Sequence, residues 1–187
     1  MALLWTISLC GLLSLTLSAS PECDELVKPL VLTDSSAIHG KWIVLAALGE
    51  GTMQKYLGDM TSSWFEITPT SQEGKVLTRW GDRVNGKCLL GSLDATVSGN
   101  KASMIFEGVL HEGEYLQSCP DCLVFMDNSR ENDVSSRYLF LSKKEGDLKE
   151  SELETLKKQA ECLNIAQETY TYGTTDLCPY EKVSTLQ

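Results

Sequence analysis

The sequence predicts an all-β chain with one helix: an eight-stranded up-and-down antiparallel barrel followed by a C-terminal α-helix. Three observations predict it. Between residues 40 and 142, short runs rich in branched and aromatic side chains alternate with turn residues at close intervals, the pattern of an all-β sandwich or barrel. Beyond residue 147 the apolar period lengthens to that of a helix, for one element only. Periodicity alone leaves a two-sheet sandwich open, but a single helix placed after every strand suits the outer wall of a barrel, and closure removes the exposed edges of an eight-stranded meander.

Taken in order, strands are expected at 41–48, 63–68, 76–84, 87–97, 102–109, 114–118, 122–126 and 136–142. The breaks between them fall at 69–74, Asn85-Gly86, Gly99-Asn100, Glu112-Gly113, Cys119-Pro120 and 127–133. Asn85-Gly86 is the sharpest signal, because both residues tolerate the positive φ of a tight hairpin. The Gly-rich stretch 49–60 lacks sustained alternation and is placed over a barrel mouth. Leu148, Leu153, Leu156, Ala160 and Leu163 recur at helical spacing, which predicts a helix over about 148–163. Asp147 with Glu150 and Ser151 with Glu154 are alternative capping boxes for its start. A short extended piece at 168–172 precedes an acidic tail, so that 164–187 forms the terminal segment.

The first twenty residues carry no charge and are apolar almost throughout. They end in small residues, as a secretory signal does. Residues 1–19 are therefore expected to be a signal peptide and 20–187 a single secreted, extracellular domain, with a retained, membrane-tethering signal as the alternative. Sixteen Lys and Arg against 26 Asp and Glu leave a net charge of -10, which argues against nucleic acid as a partner.

Of seven cysteines, Cys10 lies in the signal; Cys23, Cys88, Cys119, Cys122, Cys162 and Cys178 remain. An even count in an oxidising compartment reads as three disulfides, with the pairing open. Only His39 and His111 accompany them, too few partners for a closed zinc site, so no metal and no cofactor are expected. Neither histidine sits in a nucleophile motif, which argues against an enzyme. Cys119-Pro120-Asp121-Cys122 has the spacing of a redox dithiol. It lies between strands, however, not at a helix N-terminus that would lower a thiol pKa, so a structural link is expected.

Gly40-Lys41-Trp42, at the start of the first expected strand, resembles the first signature of the lipocalins, and the eight strands, one helix and short last strand follow in that family's order. The resemblance narrows toward the branch containing α1-acid glycoprotein (orosomucoid), apolipoprotein M and fish toxin-binding relatives. Phe65-Glu66-Ile67-Thr68-Pro69, the 160–165 stretch and Asp176-Leu177-Cys178-Pro179 look like orosomucoid; Ser118-Cys119-Pro120 and Arg137-Tyr138-Leu139-Phe140 look more like apolipoprotein M. The resemblance implies Trp42 as a plug at the closed end, Gly40 before it, and Lys143 over the ring where many relatives carry Arg. It also implies disulfides Cys23 with Cys162 and Cys88 with Cys178, leaving Cys119 with Cys122. On the chain-entropy model each of the two long loops contributes up to ~4–5 kcal/mol and the short one much less. Two departures stand out: the chain has no N-glycosylation sequon, and Gly91 and Leu93 stand where apolipoprotein M uses Arg and Trp.

What the resemblance implies functionally is transport: a small apolar or amphipathic ligand held inside the barrel, by a chain expected to be monomeric. Alternation puts Phe65 with Ile67, Trp80 with Asp82, Ile105 with Glu107, and Tyr138 with Phe140 on common faces, and the resemblance points these eight inward as the ligand-binding set. A one-residue slip in register would substitute Trp64, Glu66, Arg79, Met104, Phe106 and Leu139. If Asp82 and Glu107 both face the cavity, a cationic ligand is favoured, because an unpaired buried carboxylate is costly. Two other readings compete: a lysolipid carrier of apolipoprotein M type that rides on a lipoprotein particle, and a protein-interaction module with a filled barrel and Trp64 or Trp80 as surface anchors.

Overall fold

The computed structural model describes residues 21–165 and 168–180. The expected signal peptide lies outside the described residues, as does the end of the tail. A short helix α1 (Pro21–Leu26) and a 3₁₀ turn (Ser35–Ile38) lead into β1 (Gly40–Glu50). Helix α2 (Gln54–Asp59) then precedes a meander of β2 (Met60–Pro69), β3 (Lys75–Val84), β4 (Lys87–Ser98) and β5 (Lys101–Phe106). It continues through β6 (Val109–Leu116), β7 (Cys122–Glu131) and β8 (Val134–Lys143). Helix α3 (Glu150–Cys162) and a short β9 (Thr169–Thr171) complete the order.

Each strand pairs antiparallel with the next, and β1 pairs with both β2 and β8, so the eight strands close into a barrel with β9 added beside β1. Two hairpins correct the expected boundaries. The expected strands 102–109 and 114–118 are in fact β5 and β6, joined at Glu107-Gly108, where both residues take positive φ (49° and 83°) as a two-residue turn requires. Glu112-Gly113 is no break. Gly113 sits mid-strand because any Cβ there would lie 2.0 Å from the Met126 carbonyl, so this glycine serves close approach of two strands rather than a turn. Likewise β7 and β8 run through most of the expected 127–133 loop and turn at Asn132-Asp133, again with positive φ.

Apolar side chains divide between the barrel's two surfaces. Leu45, Leu48, Leu139 and Leu141 point outward and are buried under Leu156 and Ala160 of α3. Trp42, Ile67, Val76, Ala95 and Leu123 fill the inner base below the 3₁₀ turn. Trp42 is 5% exposed and its indole Nε1 donates to the Ile38 carbonyl at 2.8 Å, so the plug is anchored at both its apolar face and its polar tip. Gly40 precedes it at φ 99°, a conformation other residues adopt only under strain.

Lys143 is not the cation over this ring. It continues the outward alternation of Leu139 and Leu141, and its buried ammonium lies beneath α3, 2.9 Å from Glu152 and 3.0 Å from Asp121. Lys144, one residue past the strand and free of its alternation, places Nζ 5.0 Å from the Trp42 centroid. Three disulfides fasten the shell: Cys23–Cys162 joins α1 to the end of α3, Cys88–Cys178 joins the tail to β4, and Cys119–Cys122 closes the loop between β6 and β7. Among the described residues no helix is long and apolar enough to cross a membrane.

Candidate functional site

The barrel encloses a cavity of about 230 Å³. Its wall is dominated by Phe65, Trp80, Met104, Phe106, Phe125 and Phe140, one or two from each of five strands. Inward alternation from β2 (Ser63, Phe65, Ile67), β3 (Thr78, Trp80, Asp82), β6 (His111, Tyr115) and β7 (Leu123, Phe125, Asp127) supplies most of the rest. Gly91 stands opposite Trp80 in the ladder, and a Cβ there would fall 2.5 Å from the indole. The glycine at this position therefore makes room for Trp80, while Leu93 lines the wall beside it.

Of the eight residues expected to face inward, Phe65, Ile67, Trp80, Asp82 and Phe140 line the cavity. Tyr138 shares their surface: it is fully buried against Val44, Ala47 and Leu57, and its hydroxyl accepts from the Met53 amide at 3.1 Å. Ile105 and Glu107 do not belong to the wall. Ile105 is 66% exposed on the outer surface, and Glu107 sits in the β5–β6 turn at the barrel rim. Their place is taken by Met104 and Phe106, because the facing of β5 is one residue out of step with the expectation. The other members of the slipped set, Trp64, Glu66, Arg79 and Leu139, point out. Trp64 is nonetheless fully buried: its Nε1 donates to the Cys178 carbonyl at 2.9 Å, Tyr180 lies 5.2 Å away, and the Lys41 ammonium 5.1 Å. Neither Trp64, covered by the tail, nor Trp80, inside the barrel, is a surface anchor.

Polar groups are few and placed. Asp82 Oδ2 accepts from the Tyr56 hydroxyl at 2.5 Å, which ties α2 across the mouth to a wall strand. Burial pushes the Asp82 carboxyl above its ordinary range, opposed by hydrogen bonds from Ser63 and Tyr56. The Tyr56 phenol is pushed far up, first by burial and then by the Asp82 charge. Across the cavity His111 Nδ1 lies 2.9 Å from Asp127 Oδ2, both side chains buried, with the imidazole edge-on to Phe106 at 6.2 Å. Sequence reasoning missed this pair, finding no motif around His111. The signal that would have found it is the positive-φ dipeptide Glu107-Gly108: with the hairpin turned there, His111 and Tyr115 fall on the inner face and pair with the strand carrying Asp127.

No family model matches the chain. Alpha-1-acid glycoprotein of Bos taurus is 29% identical over 92 residues, which cover 48% of this chain and 46% of that protein. The match thus spans about half the length of the curated relative. Among solved structures, an odorant-binding protein superposes with a TM-score of 0.66 at 17% identity, covering 80% of this chain and 98% of its own. A siderocalin described as having a dual ligand binding mode gives 0.65 at 15% identity over 80% of this chain and 98% of its own. A dog lipocalin allergen gives 0.63 at 19% identity over 76% and 98%. An antiparallel eight-stranded barrel closed between β1 and β8, flanked by one helix and superposing on these proteins over nearly their whole length, has the lipocalin fold.

Proposed function

We propose that the protein is a secreted, monomeric, non-enzymatic carrier of the lipocalin family, whose ligand is a compact amphiphile with a cationic head held by Asp82. The observation that carries this reading is the pairing of a largely apolar wall with a partly buried carboxylate whose pKa is raised by desolvation. An apolar body gains by leaving water, while an ammonium or guanidinium at Asp82 would supply the opposite charge that this partly buried carboxylate lacks. Size supports a compact ligand: about 230 Å³ lies below the ~300–1,000 Å³ of ordinary small-molecule sites, though above the ~150 Å³ that holds a benzene. That volume, and Gly91 in place of a head-group arginine, weigh against a lysolipid carrier of apolipoprotein M type and its lipoprotein particle. The open interior likewise weighs against an interaction module with a filled barrel.

Titration of the secreted protein with an aromatic amine and its neutral isostere, read by quenching of Trp80, tests the proposal. Saturable binding at one site per chain, tighter for the amine, is expected. No saturable quenching by either compound, in protein with all three disulfides formed, would overturn it. Native mass spectrometry of the same material reports the mature N-terminus and the oligomeric state.

A further inference from the structure

Near the barrel mouth the inner surface of β6, β7 and β8 changes from apolar to polar. His111, Ser129 and Ser136 stand in one row across the ladder, and the next row toward the base sets Asp127 opposite Tyr138. The loop after β1 occupies two of these groups: the Ser136 hydroxyl accepts from the Thr52 amide at 3.0 Å and the Tyr138 hydroxyl from the Met53 amide at 3.1 Å. Asp127 Oδ2 occupies a third, lying 2.9 Å from His111 Nδ1. An ionised carboxylate can only accept, so this contact keeps the ring proton on Nδ1 and leaves Nε2 of the neutral imidazole an acceptor. Ser129 lies directly opposite His111, which places their side chains on the same face with Cβ atoms about 5 Å apart. Among the described residues nothing hydrogen-bonds to His111 Nε2 or to the Ser129 hydroxyl.

Both residues line a second chamber of about 230 Å³ that opens at the mouth. Met53, Trp80, Phe106 and His111 belong to its wall and to that of the deeper cavity, so the two spaces meet at these side chains. His111 and Ser129 are each only 8% exposed, yet neither free polar atom is sealed off by protein. They therefore face the chamber. Glu107 and Glu131 line the same space, neither paired with a cation among the described residues, and no Lys or Arg accompanies them there. That charge disfavours an anionic group. A carbonyl would leave Nε2 without a donor, and an ammonium could donate to either residue but accept from neither. A hydroxyl matches both, because its O–H donates to Nε2 while its oxygen accepts from Ser129.

We propose that His111 and Ser129 form a hydroxyl-reading subsite at the mouth of the barrel, so that the carried molecule bears an alcohol or phenol group on its mouth-side end. Its apolar body lies in the deeper cavity, against Phe65, Phe125 and Phe140. Asp127 is a positioning residue: by accepting from Nδ1 it fixes the tautomer that offers Nε2 to the ligand. The subsite rests on the carrier reading above but not on a cationic head, since Asp82 belongs to β3 and the subsite to β6 and β7. A neutral hydrogen bond of this kind lowers Kd by about three- to tenfold.

Calorimetric titration of the oxidised protein with ethylbenzene, 4-ethylphenol and phenethylamine separates the two readings, because hydroxyl and ammonium are varied independently on one apolar body. 4-Ethylphenol should bind about three- to tenfold more tightly than ethylbenzene. In Ser129→Ala and in His111→Phe that advantage should shrink to about twofold or less, with ethylbenzene little changed. In protein carrying ¹⁵N-labelled histidine, the His111 proton should sit on Nδ1, and the Nε2 resonance should move on adding 4-ethylphenol but not ethylbenzene. Should His111→Phe fail to fold, Ser129→Ala and the nitrogen resonance decide. Equal Kd for ethylbenzene and 4-ethylphenol, an advantage that survives in the variants, or a proton found on Nε2 would each overturn the subsite. Phenethylamine no tighter than ethylbenzene, with the hydroxyl advantage intact, would remove the cationic head and uphold the subsite. Absence of saturable heat from all three would remove the carrier, and the subsite with it.

Discussion

Replacing Asp82 with Asn should move stability and binding in opposite directions. The carboxylate lies on the cavity wall, and burial is the largest influence on it, raising its pKa from an ordinary 3.8. Asn keeps the shape and can still accept the Tyr56 hydroxyl now bonded to Oδ2, but it carries no charge to desolvate. Burying an imperfectly compensated polar group costs roughly 1–3 kcal/mol, so Asp82→Asn should stabilise the empty protein by about 1–2 kcal/mol. That corresponds to a rise in Tm of about 3–6 °C for a chain of this size. The pH dependence has a definite sign. Because the folded pKa is raised, the folded state binds more protons than the unfolded one between the ordinary value and the raised one. Stability therefore falls as pH rises through that window, and the variant should lose this fall. Conversely, an ammonium ligand loses a charge-assisted hydrogen bond, worth about 1.5–3 kcal/mol, so its Kd should rise about 10- to 100-fold while that of a neutral isostere changes little. Thermal denaturation between pH 4 and 8, together with paired fluorescence titrations, measures both. A destabilised variant, or equal loss of both ligands, would refute the reasoning.

Further outcomes are expected at four residues. Leu156→Ala should cost about 3–5 kcal/mol in chemical denaturation, because Leu156 is 0% exposed in the helix–barrel interface and truncation leaves a cavity there. Glu152→Ala should cost about 1–3 kcal/mol, because it removes one of the two carboxylates that hold the buried Lys143 ammonium and leaves only Asp121, at 3.0 Å, beside it. Glu152→Gln should cost less and flatten the acid limb of stability: hydrogen bonds from the Lys149 amide and Lys143 overcome desolvation and hold this carboxyl below its usual range, so its contribution is present above the ordinary pKa and lost as pH falls through the depressed one. Met104→Ala should weaken any cavity ligand by about tenfold through lost apolar contact, whereas Ile105→Thr, on the outer surface, should leave its Kd unchanged in the same titration.

The barrel was legible in the sequence because each of its determinants is local. Turn chemistry such as Asn85-Gly86 with φ 50° and 75°, alternation on β2 and β3, and the helical period of α3 all act within a few residues. On β2, β3 and β8 the same alternation grouped the residues that share a face, and the resemblance supplied which face points inward. Where the reading failed, a glycine had two meanings. Gly108 completes a turn and Gly113 allows two strands to touch, yet each follows a glutamate in a run of otherwise strand-forming residues. A break placed at Glu112-Gly113 displaces the hairpin and hides His111, while the inward facing of Ile105 and Glu107 is one that the resemblance implied and β5 does not adopt.

Long-range electrostatics were illegible for a different reason: they are created by closure. Lys143 and Lys144 are adjacent and identical, and only alternation carried to the last residue of β8 decides that the first goes under α3 and the second over Trp42. Glu152 reads as one more charge on a solvated helix face, yet packing of α3 on the barrel leaves it 7% exposed beside that ammonium and the Cys119–Cys122 bridge. Asp82 reads as a strand carboxylate and Asp127 as the first residue of a break; inside the barrel the first meets a tyrosine from α2 and the second a histidine from β6. The first accepts from a neutral hydroxyl, the second lies against an imidazole, a group that can itself carry positive charge. In the carrier proposed above, Asp82 is therefore the carboxylate that would answer a ligand's charge.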